Sequence, residues 1–183
     1  MTAGPGRAEE IEVRIVPMRR RHLRSVLRIE TQVYPRPWTL SLFLSELNLK
    51  STRCYLVAQI EAQVVGYGGV MISVGDAHIT NLAVDPVWQG HKIGQRLLSV
   101  LVREAIVREA ANLTLEVRLG NLVAQGLYQK FGLGPAGIRK GYYVESAEDA
   151  LVMWAHDIQE PSYKDRLDRL EAEVADSTIV ELE

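Results

Sequence analysis

Residues 82–98 constrain this chain more than any other stretch. They read Leu82-Ala83-Val84-Asp85-Pro86-Val87-Trp88-Gln89-Gly90-His91-Lys92-Ile93-Gly94-Gln95-Arg96-Leu97-Leu98. An apolar run stops at Asp-Pro, crosses a glycine-bearing loop and enters a long helical pattern. The spacing predicts a helix over Lys92–Ala111, with Ile93, Leu97, Leu98, Leu101, Val102, Ala105 and Ile106 on one face. The first N–H groups of such a helix have no partner within it, and the helix dipole favours an anion there. Glycine lets the backbone approach a pyrophosphate closely. The loop lacks both the G-x-G-x-x-G pattern of a dinucleotide fold and the G-K-S/T ending of a Walker loop.

Around this segment the pattern is that of a mixed α/β domain. Ile11–Val16 alternates as a half-buried strand, and His22–Val33 carries Leu23, Val26, Leu27, Ile29, Glu30 and Val33 at helical spacing. Arg19, Arg20, Arg21 and Arg24 read as a solvated helix start. Tyr34-Pro35-Arg36-Pro37-Trp38 breaks the helix, and Thr39 is placed to cap a second one over Leu40–Leu49. Arg53–Ile60, Val64–Ser73 and His78–Val84 follow as strands, so that four antiparallel strands run in succession. Gly66, Gly68 and Gly69 mark bends or close approach in the second of these three. After the long helix come a strand at Leu113–Val117, a helix over Leu122–Phe131 ended by Gly132, a strand near Gly134–Arg139, a turn at Gly141-Tyr142-Tyr143 and a strand at Ala150–His156.

Composition narrows the partners. The net charge of −2 gives no basic field for nucleic acid, so no direct nucleic-acid binding is expected. No run is long enough for a membrane helix, the first 25 residues contain no apolar stretch of signal-peptide length, and the lone Cys54 excludes an intrachain disulfide. A cytoplasmic monomer or weak dimer is the expectation. Cys54 reads as a small buried strand residue. His22, His78, His91 and His156 form no ligand pattern, so no metal is expected. Residues 1–10 read as a frayed terminus, and the functional domain is expected over 11–158. Residues 159–183 carry three basic and eight acidic residues, net −5, leaving +3 on the remainder. Leu167, Leu170 and Val174 give this tail only a thin apolar stripe, so it reads as an accessory helix after Pro161, weakly docked or free. Removing it is expected to spare the chemistry.

Three ordered blocks carry a family resemblance. Gln89-x-x-Lys92-x-Gly94 resembles the acetyl-CoA pyrophosphate loop of the GNAT superfamily, usually Q/R-x-x-G-x-G/A, and Asn81–Pro86 resembles its fourth strand. Lys92 departs from the usual glycine; it adds positive charge near phosphate and argues against a need for positive φ at that position. Leu115-Glu116-Val117-Arg118-Leu119-Gly120-Asn121 and Leu127-Tyr128-Gln129-Lys130-Phe131-Gly132-Leu133 resemble the L-E-V-R-x-x-N and L-Y-x-x-x-G-F signatures of the RimI-like branch. Ile138-Arg139-Lys140-Gly141-Tyr142-Tyr143 resembles its R-x-x-Y-Y hairpin. The resemblance implies a GNAT fold: a mixed, mostly antiparallel sheet with flanking helices. Its parallel strands near Leu82 and Glu116 splay apart around a pantetheine arm. It also implies an acetyl-CoA-dependent transferase acting on a protein N-terminus, the alanine of small-subunit ribosomal protein number eighteen in that branch.

Candidate site residues follow from both readings. Glu116, a carboxylate in an apolar strand, is costly to bury without partners or work; it fits a general base, an ion pair with Arg118, or an edge position facing solvent. Tyr128 fits a proton donor to the departing thiolate or a core aromatic. Leu82, Ala83 and Val84 are expected to offer backbone N–H groups to a thioester carbonyl. Gln89, Gly90, His91, Lys92, Ile93, Gly94 and Gln95 are expected to hold the pyrophosphate. Asn121 fits a helix cap, a cofactor contact, or both. Tyr34, Trp38, Tyr142 and Tyr143 are expected to wall the acceptor groove. The alternatives are a small-molecule amine or lysine as acceptor, or a catalytically silent acetyl-CoA-binding module.

Overall fold

The computed structural model describes residues 11–183; the expected frayed terminus lies outside the described residues. Its strands are β1 (Val13–Pro17), β2 (Arg53–Ile60), β3 (Gln63–Ser73), β4 (Asp76–Val84), β5 (Asn112–Arg118), β6 (Gly134–Tyr143), β7 (Glu148–Ala155) and β8 (Thr178–Val180). They form one sheet in the order β6-β7-β5-β4-β3-β2-β1-β8. Pairing is antiparallel except for β4 with β5 and β1 with β8. The helices are α1 (Leu23–Val33), α2 (Leu40–Leu47), α3 (Ile93–Val107), α4 (Leu122–Lys130) and α5 (Pro161–Ala172).

The apolar periodicities are spent on two clusters, one on each face of the sheet. Ile93, Leu97, Leu98, Leu101 and Ala105 of α3 pack on Val13, Leu56, Val65, Ile79 and Leu113. On the other face Leu23, Val26 and Ile29 of α1 and Phe43 of α2 pack on Tyr55, Val57, Tyr67 and Ala83. Thr39 caps α2 as its position predicts, its Oγ1 accepting from Leu42 N at 3.2 Å. Half-buried Cys54 packs against the first cluster, and burial pushes its thiol up to about 11, which leaves it a poor nucleophile.

Two expectations need correction. The turn placed at Gly141-Tyr142-Tyr143 is strand: β6 runs through Tyr143, with an irregularity between Arg139 and Tyr143 and Gly141 at φ +60, and the reversal comes after it. Residues 159–183 are not loosely attached. Tyr163, Leu167, Leu170 and Val174 are buried, the first three within the main cluster, and β8 extends the sheet beside β1. The apolar stripe is thin because its partner surface is polar: Gln95 Nε2 donates to Leu170 O at 3.0 Å, Arg96 Nη1 to Val174 O at 3.2 Å, and Arg103 Nε to Glu171 Oε1 at 2.9 Å.

The β3 glycines prove to be sites of close approach. A Cβ on Gly69 would lie 2.2 Å from Tyr55 Cε1 and 2.8 Å from Thr80 Oγ1. The Tyr55 ring is buried and its hydroxyl donates to Glu46 Oε2 at 2.8 Å, so it has little room to retreat. Gly69→Ala is therefore expected to destabilise by ~1–3 kcal/mol or more, the usual range for overpacking. Gly126→Ala on α4, where an added Cβ meets nothing within 4 Å, is expected to stabilise by ~0.5–1 kcal/mol through helix propensity. Paired denaturant melts check both, and equal midpoints for the two variants would show that the sheet absorbs the Gly69 methyl.

Candidate active site

β4 and β5 pair in parallel only from Asp76 with Asn112 to His78 with Thr114. Both strands continue beyond that point without pairing to each other, which opens a gap between them. A bulge on β4 accompanies the opening: Gly69 pairs with Asn81 but Val70 with Ile79, so Thr80 is the extra residue. One inserted residue inverts the alternation of a strand. Ala77 and Ile79 face the α3 side before the bulge, whereas after it Ala83 faces the α1 side and Leu82 and Val84 turn toward α3. The edge of β4 that carries Leu82, Ala83 and Val84 is thus free of a β5 ladder.

Glu116 stands on β5 opposite the α3 face, between buried Leu115 and Val117. Its Oε2 lies 2.5 Å from His78 Nε2 and its Oε1 3.3 Å from Arg139 Nη2. The His78 hydrogen bond, aided by the Arg139 charge and opposed by burial, holds the Glu116 carboxyl below the usual carboxylate range. His78 Nδ1 is buried without a hydrogen-bond partner among the described residues. Nε2 is thus the ring nitrogen that meets the carboxylate. Arg118 does not take Glu116. It bonds Glu145 and Glu148, and its guanidinium lies 3.9 Å over the Tyr143 ring. It thereby anchors the β6–β7 hairpin.

Tyrosines surround the gap. Tyr34 Oη donates to Leu82 O at 3.1 Å, tying the segment after α1 to the free part of β4. Tyr128 is buried on α4, where desolvation raises its hydroxyl so that it keeps its proton at neutral pH. Ionising any one of Tyr34, Tyr128 and Tyr143 would oppose ionising the next, and Glu116 opposes ionising Tyr142 and Tyr143. Burial pushes Tyr143 up to about 12. Trp38 contributes less to the gap: its ring packs at 5.2 Å from Phe43 and 6.4 Å from Tyr55, and its backbone N–H donates to Glu30 Oε1 at 2.9 Å.

The loop before α3 has the backbone of an anion cradle. Gly90 has φ +88 and Lys92 φ +56, so positive φ is required at the position where lysine argued against it. Lys92 is the N-cap of α3 and supplies no side-chain cap, leaving the first-turn N–H groups for another partner. A Cβ on Gly94 would come 3.3 Å from Leu127 Cδ2, so this glycine also sets how closely α3 meets α4. His91 is exposed, with Nδ1 3.2 Å from Trp88 O, and Gln89 Nε2 reaches Val84 O at 3.5 Å. Asn121 caps α4, its Oδ1 accepting from Ala124 N at 3.1 Å, which leaves its amide nitrogen for other contacts.

His78 is the site residue that sequence reasoning missed. It alternates with Ala77 and Ile79 on β4, a signal that it shares the face of the next strand's polar positions, but only the β4–β5 register brings it to Glu116. Among the described residues no group of His, Cys, Asp and Glu is arranged to hold a metal, and no helix is long and apolar enough to cross a membrane.

Comparison with known proteins agrees with this geometry. Residues 23–133 match the model of the acetyltransferase (GNAT) family. A Bacillus subtilis protein provisionally named ribosomal protein bS18-alanine N-acetyltransferase is 42% identical over 75% of this chain and 91% of its own. The Escherichia coli K12 ribosomal protein bS18-alanine N-acetyltransferase is 32% identical over 72% of this chain and 88% of its own. The crystal structure of the Escherichia coli ribosomal-protein-S18-alanine N-acetyltransferase superposes with a TM-score of 0.71 at 28% identity, covering 79% of this chain and 94% of that one. With a splayed parallel strand pair, a cradle at the start of α3 and these matches, the chain belongs to the GNAT family of acetyltransferases.

Proposed function

We propose that this protein transfers the acetyl group of acetyl-CoA to the α-amine of a protein N-terminus, with the N-terminal alanine of ribosomal protein bS18 as acceptor. The observation that carries the chemistry is the gap between β4 and β5. The Glu116–His78 pair flanks it, and the unpartnered N–H groups at the start of α3 stand at its end. The cradle of Gln89–Gln95 fits a pyrophosphate, and Asn121 lies at the start of the neighbouring helix. The acceptor follows from the names of the relatives and places the reaction in the cytoplasm.

The amine attacks the thioester carbonyl carbon; a C–N bond forms, the C–S bond breaks, and the amine proton passes to the protein. Backbone N–H groups along Leu82–Val84 face the developing oxyanion. Glu116, with His78, takes the proton, while protonated Tyr128 donates to the departing thiolate. Arg139 is exposed and sits at Glu116 Oε1, where a substrate ammonium would take its place. Tyr34, Tyr142 and Tyr143 line the acceptor groove, with Trp38 set back against Phe43 and Tyr55.

Basicity favours an α-amine. A free α-amine has a pKa of about 8 and a lysine amine about 10.4, so deprotonating lysine near neutrality costs roughly 3 kcal/mol more at 1.36 kcal/mol per unit. Thiol release from acetyl-CoA is therefore expected with an alanine-starting bS18 peptide, and far less with the same peptide blocked at its N-terminus, with internal-lysine peptides or with small amines. Equal rates on the blocked and free peptides would overturn the acceptor assignment.

A further inference from the structure

The tail brings a carboxylate to the start of α3. Glu173 closes α5, where its charge faces the negative end of its own helix dipole, an unfavourable place for an acid. Its Oε2 instead accepts from Gln95 Nε2 at 2.9 Å and lies 3.4 Å from Lys92 Nζ. Gln95 is buried and also donates to Leu170 O at 3.0 Å, so it is fixed; Lys92 and Glu173 are each about half exposed, at 51% and 45%, so their contact opens readily. The charge of Lys130, at the end of α4, also favours the ionised form of this carboxylate, though less than Gln95 and Lys92 do. The anion beside the first turn of α3 is thus supplied by a residue 81 positions away.

We propose that Glu173 sets the affinity for the phosphate-bearing end of the cosubstrate by holding Lys92 in the free protein and competing with phosphate for it. This rests on the acetyl-CoA reading of the Gln89–Gln95 loop. Lysine is a point charge on a flexible stem, so Lys92 swings from carboxylate to phosphate without disturbing the backbone. Gln95 keeps Glu173 in place meanwhile. The carboxylate then stands within a screening length of a polyanion and opposes it. Glu173 therefore discriminates against the nucleotide end of the cosubstrate while leaving acetyl transfer alone.

Glu173→Gln keeps an acceptor oxygen for Gln95 and removes the charge. By calorimetry its affinity for CoA is expected to rise about three- to ten-fold at low ionic strength, and the gain to shrink toward none at 1 M salt, where the screening length is ~3 Å. The KM for acetyl-pantetheine, which lacks the nucleotide, is expected to stay unchanged. In a Lys92→Gln background the gain is expected to shrink. Should the Gln variant melt early, Glu173→Ala must show the same gain. Unchanged or weaker CoA binding in a folded charge-removing variant overturns the proposal. Gly94→Val separates this from the underlying reading: if it weakens CoA binding at least tenfold while Glu173→Gln changes nothing, the loop holds the phosphates and Glu173 does not tune them. If the unaltered protein fails to bind CoA, both fall.

Discussion

Glu116→Gln is expected to lower turnover by ~10²–10⁴, the usual contribution of a general base, while the fold and CoA affinity stay as they are. Glutamine has the same shape and can still accept a hydrogen bond from His78 Nε2, so the strand pair has no reason to move. What disappears is the site that receives the amine proton. The pH dependence follows from the direction of the shift. His78, and then Arg139, hold the folded-state pKa of Glu116 below its unfolded value. The stability this contributes is present above the unfolded pKa and is lost as pH falls through the lowered folded pKa. The acidic limb of kcat/KM that Glu116 causes lies on the acid side of an ordinary glutamate, and the Gln variant lacks it. His78→Gln tests whether the two act as one unit: the double variant is then no slower than Glu116→Gln alone. A folded Gln variant with near-full kcat would assign the base elsewhere.

Ending the chain after Asp157 is expected to unfold it or leave it barely stable. Tyr163, Leu167, Leu170 and Val174 are buried. At ~1.5–3 kcal/mol for each large apolar side chain, their loss rivals the ~5–15 kcal/mol that holds a whole domain together. Two further losses add to this. Gln159 Nε2 donates to Ile106 O at 3.0 Å and Ala110 O at 2.9 Å, tying the last turn of α3 to the segment that leads into β5. Arg96 of α3 loses Val174 O and Ser177 Oγ, at 3.2 and 3.0 Å. The expected readout is loss of a cooperative thermal transition, with aggregation on expression. A truncated chain that melts within a few degrees of the full one would return residues 159–183 to the role of an appendage.

These residues show where a sequence can be read and where it cannot. The α3 helix, its glycine loop and the Thr39 cap rest on neighbours within a few positions, and periodicity and local hydrogen-bonding chemistry announce them directly. Glu116 stood out because a carboxylate in an apolar strand is costly wherever that strand goes. Its partner did not. His78 is 38 positions away and meets Glu116 through a parallel register that no local pattern encodes. Arg118 was the nearer candidate and shares the face of Glu116, yet the β6–β7 hairpin drew it to Glu145 and Glu148.

The same division accounts for Lys92 and the tail. A lysine argues for ordinary backbone, but the turn into α3 imposes φ +56, and tertiary packing bears that local cost. The tail's acidic surface and sparse leucines look like a solvated helix. Only assembly shows that α3 presents Gln95, Arg96 and Arg103 to receive it, so that polar groups on both sides bury one another. Most of the helices and strands, the glycine loop before α3 and the cost of placing Glu116 in an apolar strand were legible along the chain, because each depends on short-range chemistry. The strand register, the His78–Glu116 pair and the integration of residues 159–183 were decided by tertiary structure, because each depends on which distant surfaces meet.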